Sequence, residues 1–180
     1  ALAKEDVIPY RSVSMRCAYL AEDRPERKYS SKEAARWMAE PSTVARESLK
    51  RMGRFLVQHP RLVQRMERQA PPRELDDYSD SNHAGCLRTR RSTSCTVIMH
   101  GAHFIKSAST TQVPIALSSG ESVWHGMVKS GSMGLGMRSL ARDYGVELEV
   151  HLHTDSSADK GIACRRGAGR VRHIDTETLW

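Results

Sequence analysis

The sequence predicts a mixed α/β fold whose helices pack against one sheet, preceded by a small all-α segment. Three observations lead there. Residues 1–70 carry helical periodicity and most of the net positive charge. A polar stretch ending in Pro71-Pro72 then interrupts the chain. Beyond it, short β-like runs give way to a long helical run, a strand, a helix and a last strand, which is the order of a layered α/β domain.

In the first segment, Ser30-Ser31-Lys32-Glu33 offers a capping box from Ser30 to Glu33. It predicts a short helix that ends before Pro41. After Pro41-Ser42, apolar residues recur at Val44, Leu49, Met52, Phe55 and Leu56, and this spacing predicts a second helix. On another face Arg46, Lys50 and Arg54 stand four apart. That stripe reads either as a nucleic-acid-binding row neutralising three phosphates or as a solvated helix face. The run from Arg65 to Arg73 is polar, ends in the Pro pair and reads as a linker. It separates residues 1–70 from a domain at 71–180.

The second segment has a different texture. Strands are expected at Leu75–Asp80, Ser94–His100 and His103–Ser107, between polar or Gly-containing turns. The stretch Ser119–Asp143 has no Pro, and its length predicts a helix despite several Gly residues; Met127, Val128, Met133, Leu135, Met137 and Leu140 are its core candidates. Gly145 stands where a helix C-terminus favours Gly. A strand at Val146–His153, a helix at Asp155–Arg165 and a strand at Arg170–Ile174 complete the order.

Composition limits the partners. The 180 residues allow one or two small domains, and a hydrophobic fraction of 39% allows a modest core. No run approaches the roughly 18 apolar residues of a membrane span, and no signal peptide is expected at the start. The compartment is therefore left open, with an intracellular setting expected. A net charge of +7 points to anionic partners, nucleic acid first. That charge is uneven: residues 1–70 hold 15 Lys+Arg and 9 Asp+Glu, whereas residues 71–180 hold 13 and 12. Cys17, Cys86, Cys95 and Cys164 show no metal-type spacing and read as free, mostly buried thiols.

Four acidic residues fall at element boundaries: Asp80 at the end of the first strand, Glu121 opening the long helix, Asp155 ending the fourth strand, and Asp175 after the fifth. They are either ordinary surface acids or a gathered cluster. Clustered carboxylates repel unless cations intervene, and Mg²⁺ prefers such hard oxygen ligands. Two ions about 3.5–4 Å apart clamp the attacking and leaving oxygens of a phosphodiester hydrolysis. His151, His153 and His173 read as structural histidines. Ser118 and Ser119 read as helix caps, because no nucleophile-activating pair accompanies them.

Five strings resemble the ribonuclease H domain of copia-type LTR retrotransposons. They are Tyr78-Ser79-Asp80-Ser81-Asn82-His83-Ala84-Gly85, Arg90-Arg91-Ser92-Thr93-Ser94, Ala116-Leu117-Ser118-Ser119-Gly120-Glu121-Ser122, His153-Thr154-Asp155-Ser156-Ser157-Ala158 and Val171-Arg172-His173-Ile174-Asp175. Upstream, Pro9-Tyr10-Arg11-Ser12, Tyr19-Leu20-Ala21, Arg24-Pro25 and Leu49-Lys50-Arg51 resemble the end of the reverse transcriptase, its thumb and connection, without that enzyme's paired-Asp site. The resemblance implies a ribonuclease H-like five-stranded sheet and an Asp-Glu-Asp-Asp set binding two Mg²⁺ (or Mn²⁺). It also implies cleavage of the RNA strand of an RNA–DNA hybrid. By position, Asp80, Asp155 and Asp175 match three of the four acids as catalytic and metal-binding residues.

The second acid does not match. The family usually reads Ser-Ser-Thr-Glu-Ala-Glu-Tyr, and its later Glu is the metal ligand; here Val123 stands in that place. Glu121 is the possible substitute, but two residues along a helix turn a side chain by about 200°, away from the original face. Asn82-His83 replaces a usual Asp-Trp, Lys106 an expected Trp, Val123-Trp124-His125-Gly126 the usual Tyr-x-Ala step, and the final helix is expected to be truncated. The expectation is a ribonuclease H-like domain with impaired cleavage. Its alternative is a domesticated, non-catalytic structural or nucleic-acid-binding subunit of a larger assembly, with protein partners.

Overall fold

A computed structural model of the chain describes residues 1–164. The strand expected at 170–174, His173 and Asp175 lie outside the described residues. The chain forms two compact units, Ala1–Arg65 and Met66–Trp180. No helix among the described residues is long and apolar enough to cross a membrane.

The first unit is helical: α1 (Lys4–Leu20), a 3-10 turn at Pro25–Arg27, α2 (Lys28–Ala35) and α3 (Thr43–Gln58). Its core gathers Tyr10, Ala34, Ala45, Leu49 and Met52, and the Tyr10 hydroxyl donates to the Ala34 carbonyl at 2.7 Å. Burying that apolar area holds the three helices together. The helix α3 starts as its sequence predicts, with the Ser42 hydroxyl accepting the Ala45 N–H at 3.1 Å. The Ser30–Glu33 capping box does not form. The Pro25 turn, with φ pre-set by the ring, starts α2 earlier, at Lys28. Ser30 then donates to the Arg27 carbonyl, while Glu33 pairs with Lys32 and Arg36.

The described residues of the second unit are mixed α/β, with a four-stranded mixed sheet flanked by helices. Its strands are β1 (Glu74–Asn82), β2 (Thr93–His100), β3 (His103–Thr111) and β4 (Glu149–His153). Among the described residues their order is β3-β2-β1-β4. The first three form an antiparallel meander, and β4 pairs parallel to β1. The long helix α4 (Ser119–Asp143) carries the chain from one edge of the sheet to the other, and α5 (Ser157–Cys164) follows β4. The strand β4 starts three residues later than expected because the Val146 N–H stays bonded to the Ala141 carbonyl, and Gly145, with φ +76°, makes that turn.

Part of the expected linker is fixed. Gln69 donates to the His100 carbonyl at 2.8 Å and accepts the Ala102 N–H at 2.9 Å. His103 bonds the Glu67 carbonyl, and His100 bonds that of Pro72. These residues strap the β2–β3 turn, whose Gly101 has φ +59° and leaves no space for a Cβ beside Gln69 and Pro72. The cysteines form no disulfide, but none is fully buried: Cys17 and Cys86 are partly exposed, and Cys95 and Cys164 are exposed.

The helix α4 spans the residues its sequence predicts, yet it faces the sheet with a different set. Leu135 and Leu140 are about half exposed, and Met127 is buried. The residues that meet β1 are Ser122, Gly126, Ser130 and Gly134, one per turn. The Ser122 hydroxyl bonds that of Ser81, and Ser130 donates to Asp77 at 2.5 Å. A Cβ on Gly126 would touch Ser79 and Ser81 at 3.4–3.5 Å. On Gly134 it would lie 2.8 Å from the Asp77 carboxylate and 2.9 Å from Val150. Gln112 pins the start of the helix by donating to Ser94 Oγ and the Ser122 carbonyl.

Two glycines two residues apart in α4 therefore respond oppositely to alanine. Gly136→Ala, whose Cβ enters open space, raises stability by about 1 kcal/mol through helix propensity alone. Gly134→Ala lowers it, since its Cβ meets side chains packed into the sheet. Urea unfolding of the two variants measures both signs. In the first unit, Ser42→Ala costs about 1 kcal/mol in the same measurement.

Candidate functional site

Parallel pairing of β1 with β4 sets Tyr78 opposite His153. Two residues further along each chain come Asp80 and Asp155. Both line one open cleft, together with Tyr78, Ser79, Cys95, Val97, His153 and Thr154. This lies toward the carboxyl ends of the two strands, where open α/β sheets bind ligands. Asp80 is inside β1, two residues short of its end, and Asp155 sits in the bend after β4. The Asp80 carboxylate accepts the Ser81 N–H at 2.6 Å, which ties it to its own strand.

Strand alternation decides which side chains share the cleft. Leu75, Asp77 and Ser79 are buried on the α4 side of β1, while Asp76, Tyr78 and Asp80 occupy the other face. On that face His153 bonds Asp76 at 2.7 Å through Nε2, and its ring stacks on Tyr78 with centroids 4.7 Å apart and 16° between planes. Tyr78 remains 47% exposed, so the stacked pair forms an accessible wall. Sequence reading placed Tyr78 in a motif and His153 among structural histidines, and it missed Asp76. The available signal was Asp76-Asp77 within a β run, since Asp is disfavoured in strands and needs a local reason to be there.

The helix α4 contributes nothing to this cleft. Glu121 is 7% exposed, and it accepts the Leu117 N–H at 2.8 Å through Oε2 while Oε1 lies 3.7 Å from His125. Its own N–H is capped by Ser118, as the sequence predicts. Glu121 thus secures the first turn of the helix. Val123 is 8% exposed, packed within the unit. The residue that would replace the missing acid and the position that lost it both lie outside the Asp80–Asp155 cleft.

The fit to a divalent cation follows from the donors. Asp80 and Asp155 supply hard carboxylate oxygens, the chemistry Mg²⁺ accepts alongside water and phosphate. Among the described residues, however, no group of three or more His, Cys, Asp or Glu is arranged to hold a metal ion. The described part of the cleft offers two carboxylates, Asp80 and Asp155, and no reaction step follows from these alone.

The cation stripe of α3 is partly occupied. Arg46 pairs with Asp6 at 2.7 Å and Lys50 with Glu47 at 2.7 Å. The Lys50 hydrogen bond, with the charges of Lys50, Arg54 and Arg46, holds the Glu47 carboxyl below its ordinary range. Arg46 and Lys50 also border an apolar groove lined by Pro9, Tyr10, Val13, Leu49 and Gly53. Arg54 is exposed.

Comparison with family models, with curated proteins and with solved structures finds no match. If the stripe contacts phosphate, Arg54→Ala reduces the slope of log affinity against log salt by about 0.9 for a duplex ligand. Fluorescence anisotropy across a salt series reads that slope, and an unchanged value assigns the stripe to solvent.

Proposed function

We propose that residues 71–180 are a ribonuclease H-like domain of copia-type retrotransposon descent, directed at RNA–DNA hybrids, with impaired cleavage. The segment before it derives, on this reading, from the end of a reverse transcriptase. The observation that carries the reading is the parallel β1–β4 pairing, which sets Asp80 and Asp155 in one cleft from positions 75 residues apart in sequence. The order of three strands, helix, strand and helix supports it, as do the motifs at those boundaries. Mg²⁺ or Mn²⁺, when bound, would supply neutralising charge for phosphate oxygens, with Asp80 and Asp155 as its holders. Asp175 belongs to the proposed set by its motif alone.

A specific observation favours the second reading, a non-catalytic structural or nucleic-acid-binding subunit of a larger assembly. Val123 is apolar, and no residue of α4 lines the carboxylate cleft. Losing one of the family's four acids leaves a weaker field for two cations. On this account the domain keeps its hold on nucleic acid and loses most of its cutting.

The test is incubation of the full chain with an end-labelled RNA–DNA hybrid and Mg²⁺ or Mn²⁺, with binding measured in parallel. The expected result is hybrid binding with trace cleavage, and that trace disappears in Asp80→Asn. Binding with no cleavage at all favours the non-catalytic subunit. Robust cleavage that survives Asp80→Asn, or no binding to any nucleic acid at moderate salt, contradicts the proposal.

A further inference from the structure

The function proposed above makes no use of Asp77, yet it is the most enclosed ionisable group among the described residues. Its relative exposure is 0%, and it lies on the face of β1 covered by α4. Ser130 Oγ donates to Oδ1 at 2.5 Å, and Oδ2 is buried without a hydrogen-bond partner. The surroundings are apolar or small: Ile98 pairs with it from β2 and is 0% exposed, and Leu152 pairs with it from β4. Gly134 approaches so closely that a Cβ there would sit 2.8 Å from Oδ2.

We propose that Asp77 is a proton-operated latch between β1 and α4: with its proton on, the helix seats against the sheet, and loss of the proton loosens that seat. This inference stands apart from the nucleic-acid reading. An ionised carboxylate in this enclosure would keep one hydrogen bond and lose its hydration, which strongly disfavours the charged form. A neutral carboxyl leaves only an unpaired polar atom, a far smaller penalty.

The charges facing the group are few. From α4 it meets Ser130 and Gly134, neither ionisable, and from β2 it meets Ile98. The Ser130 hydrogen bond favours ionisation, and from β4 so does the nearby His153 ring. Burial outweighs both and raises the carboxyl above its ordinary value of 3.8. Because the folded value is the higher one, the contribution of Asp77 to stability is complete below 3.8. It is lost as pH rises through the raised folded value.

The latch bears on the cleft through the same helix. Three residues beyond Asp77, Asp80 has its backbone carbonyl 3.5 Å from the Cβ position of Gly126, and Ser81 is bonded to Ser122. Loosening α4 therefore frees the stretch of β1 that carries Asp80.

Asp77→Asn keeps the shape and the acceptor for Ser130 while removing the titration. Urea unfolding of the full chain, wild type and variant, is followed from about pH 4 to about pH 8. The expected result is a midpoint for Asp77→Asn that rises relative to wild type as pH increases, with α4 amides of the wild type losing hydrogen-exchange protection over the same range. A difference between the two proteins that stays constant with pH overturns the latch. Should Asp77→Asn fail to fold, carbon NMR of the Asp77 carboxyl in the wild type decides. Titration above 3.8 supports the proposal, and titration at or below that value overturns it.

Discussion

The close approach of α4 to β1 organises the second unit. Ser122, Gly126, Ser130 and Gly134 present almost no side-chain bulk along one line of the helix, so its backbone settles onto Asp77, Ser79 and Ser81. Larger residues at these positions would hold the helix away from the sheet. The resulting seam is polar. Asp77, Ser79, Ser94, Thr96, Ser122 and Ser130 are buried there, against a short set of apolar residues led by Ile98, Leu75 and Met127. Hydrogen bonds must replace lost water in such a seam, and there Ser79 Oγ and Asp77 Oδ2 have no partner among the described atoms. The unit is fixed by geometry more than by apolar area, which makes it sensitive to single atoms in that stripe.

The same seam explains the composition of the cleft. By committing Asp77 and Ser79 to α4, the pleat of β1 sends Asp76, Tyr78 and Asp80 to the opposite face. There they meet His153, Thr154 and Asp155 because β4 runs parallel to β1. The cleft thus combines two carboxylates with a Tyr–His stack held in place by Asp76. Without a cation its charge repels phosphate, so on the nucleic-acid reading proposed above the electrostatic attraction falls to the basic first unit. Residues 1–70 carry nearly all of the net charge, and even there Arg46 and Lys50 are already paired.

Much of this order was legible in the sequence. The apolar period after Pro41-Ser42 marked α3, and Ser118 before a long Pro-free run marked the start of α4, because a cap acts locally. Asp80 and Asp155 were found by motif, and the sheet brings them together. Other features were hidden because they depend on distant partners. The Ser30–Glu33 box lost to a Pro-initiated turn that is stronger in its context. Apolar periodicity pointed to the Met and Leu residues of α4, whereas the sheet selected its Ser and Gly positions, a preference visible only once β1 is in place. Glu121 looked like a candidate ligand, but the backbone N–H of Leu117 claims it. The strap of Glu67, Gln69 and Pro72 on the β2–β3 turn has no local signature at all.

The central claim is that Asp80 and Asp155 form a cleft of their own, apart from α4. Paramagnetic broadening by Mn²⁺, read on backbone amides of the full chain, addresses it directly. The account predicts broadening centred on Ser79–Ser81 and Thr154–Ser156, with Glu121 and Val123 spared. Broadening centred on 121–123, or none at Asp80 and Asp155, would contradict it.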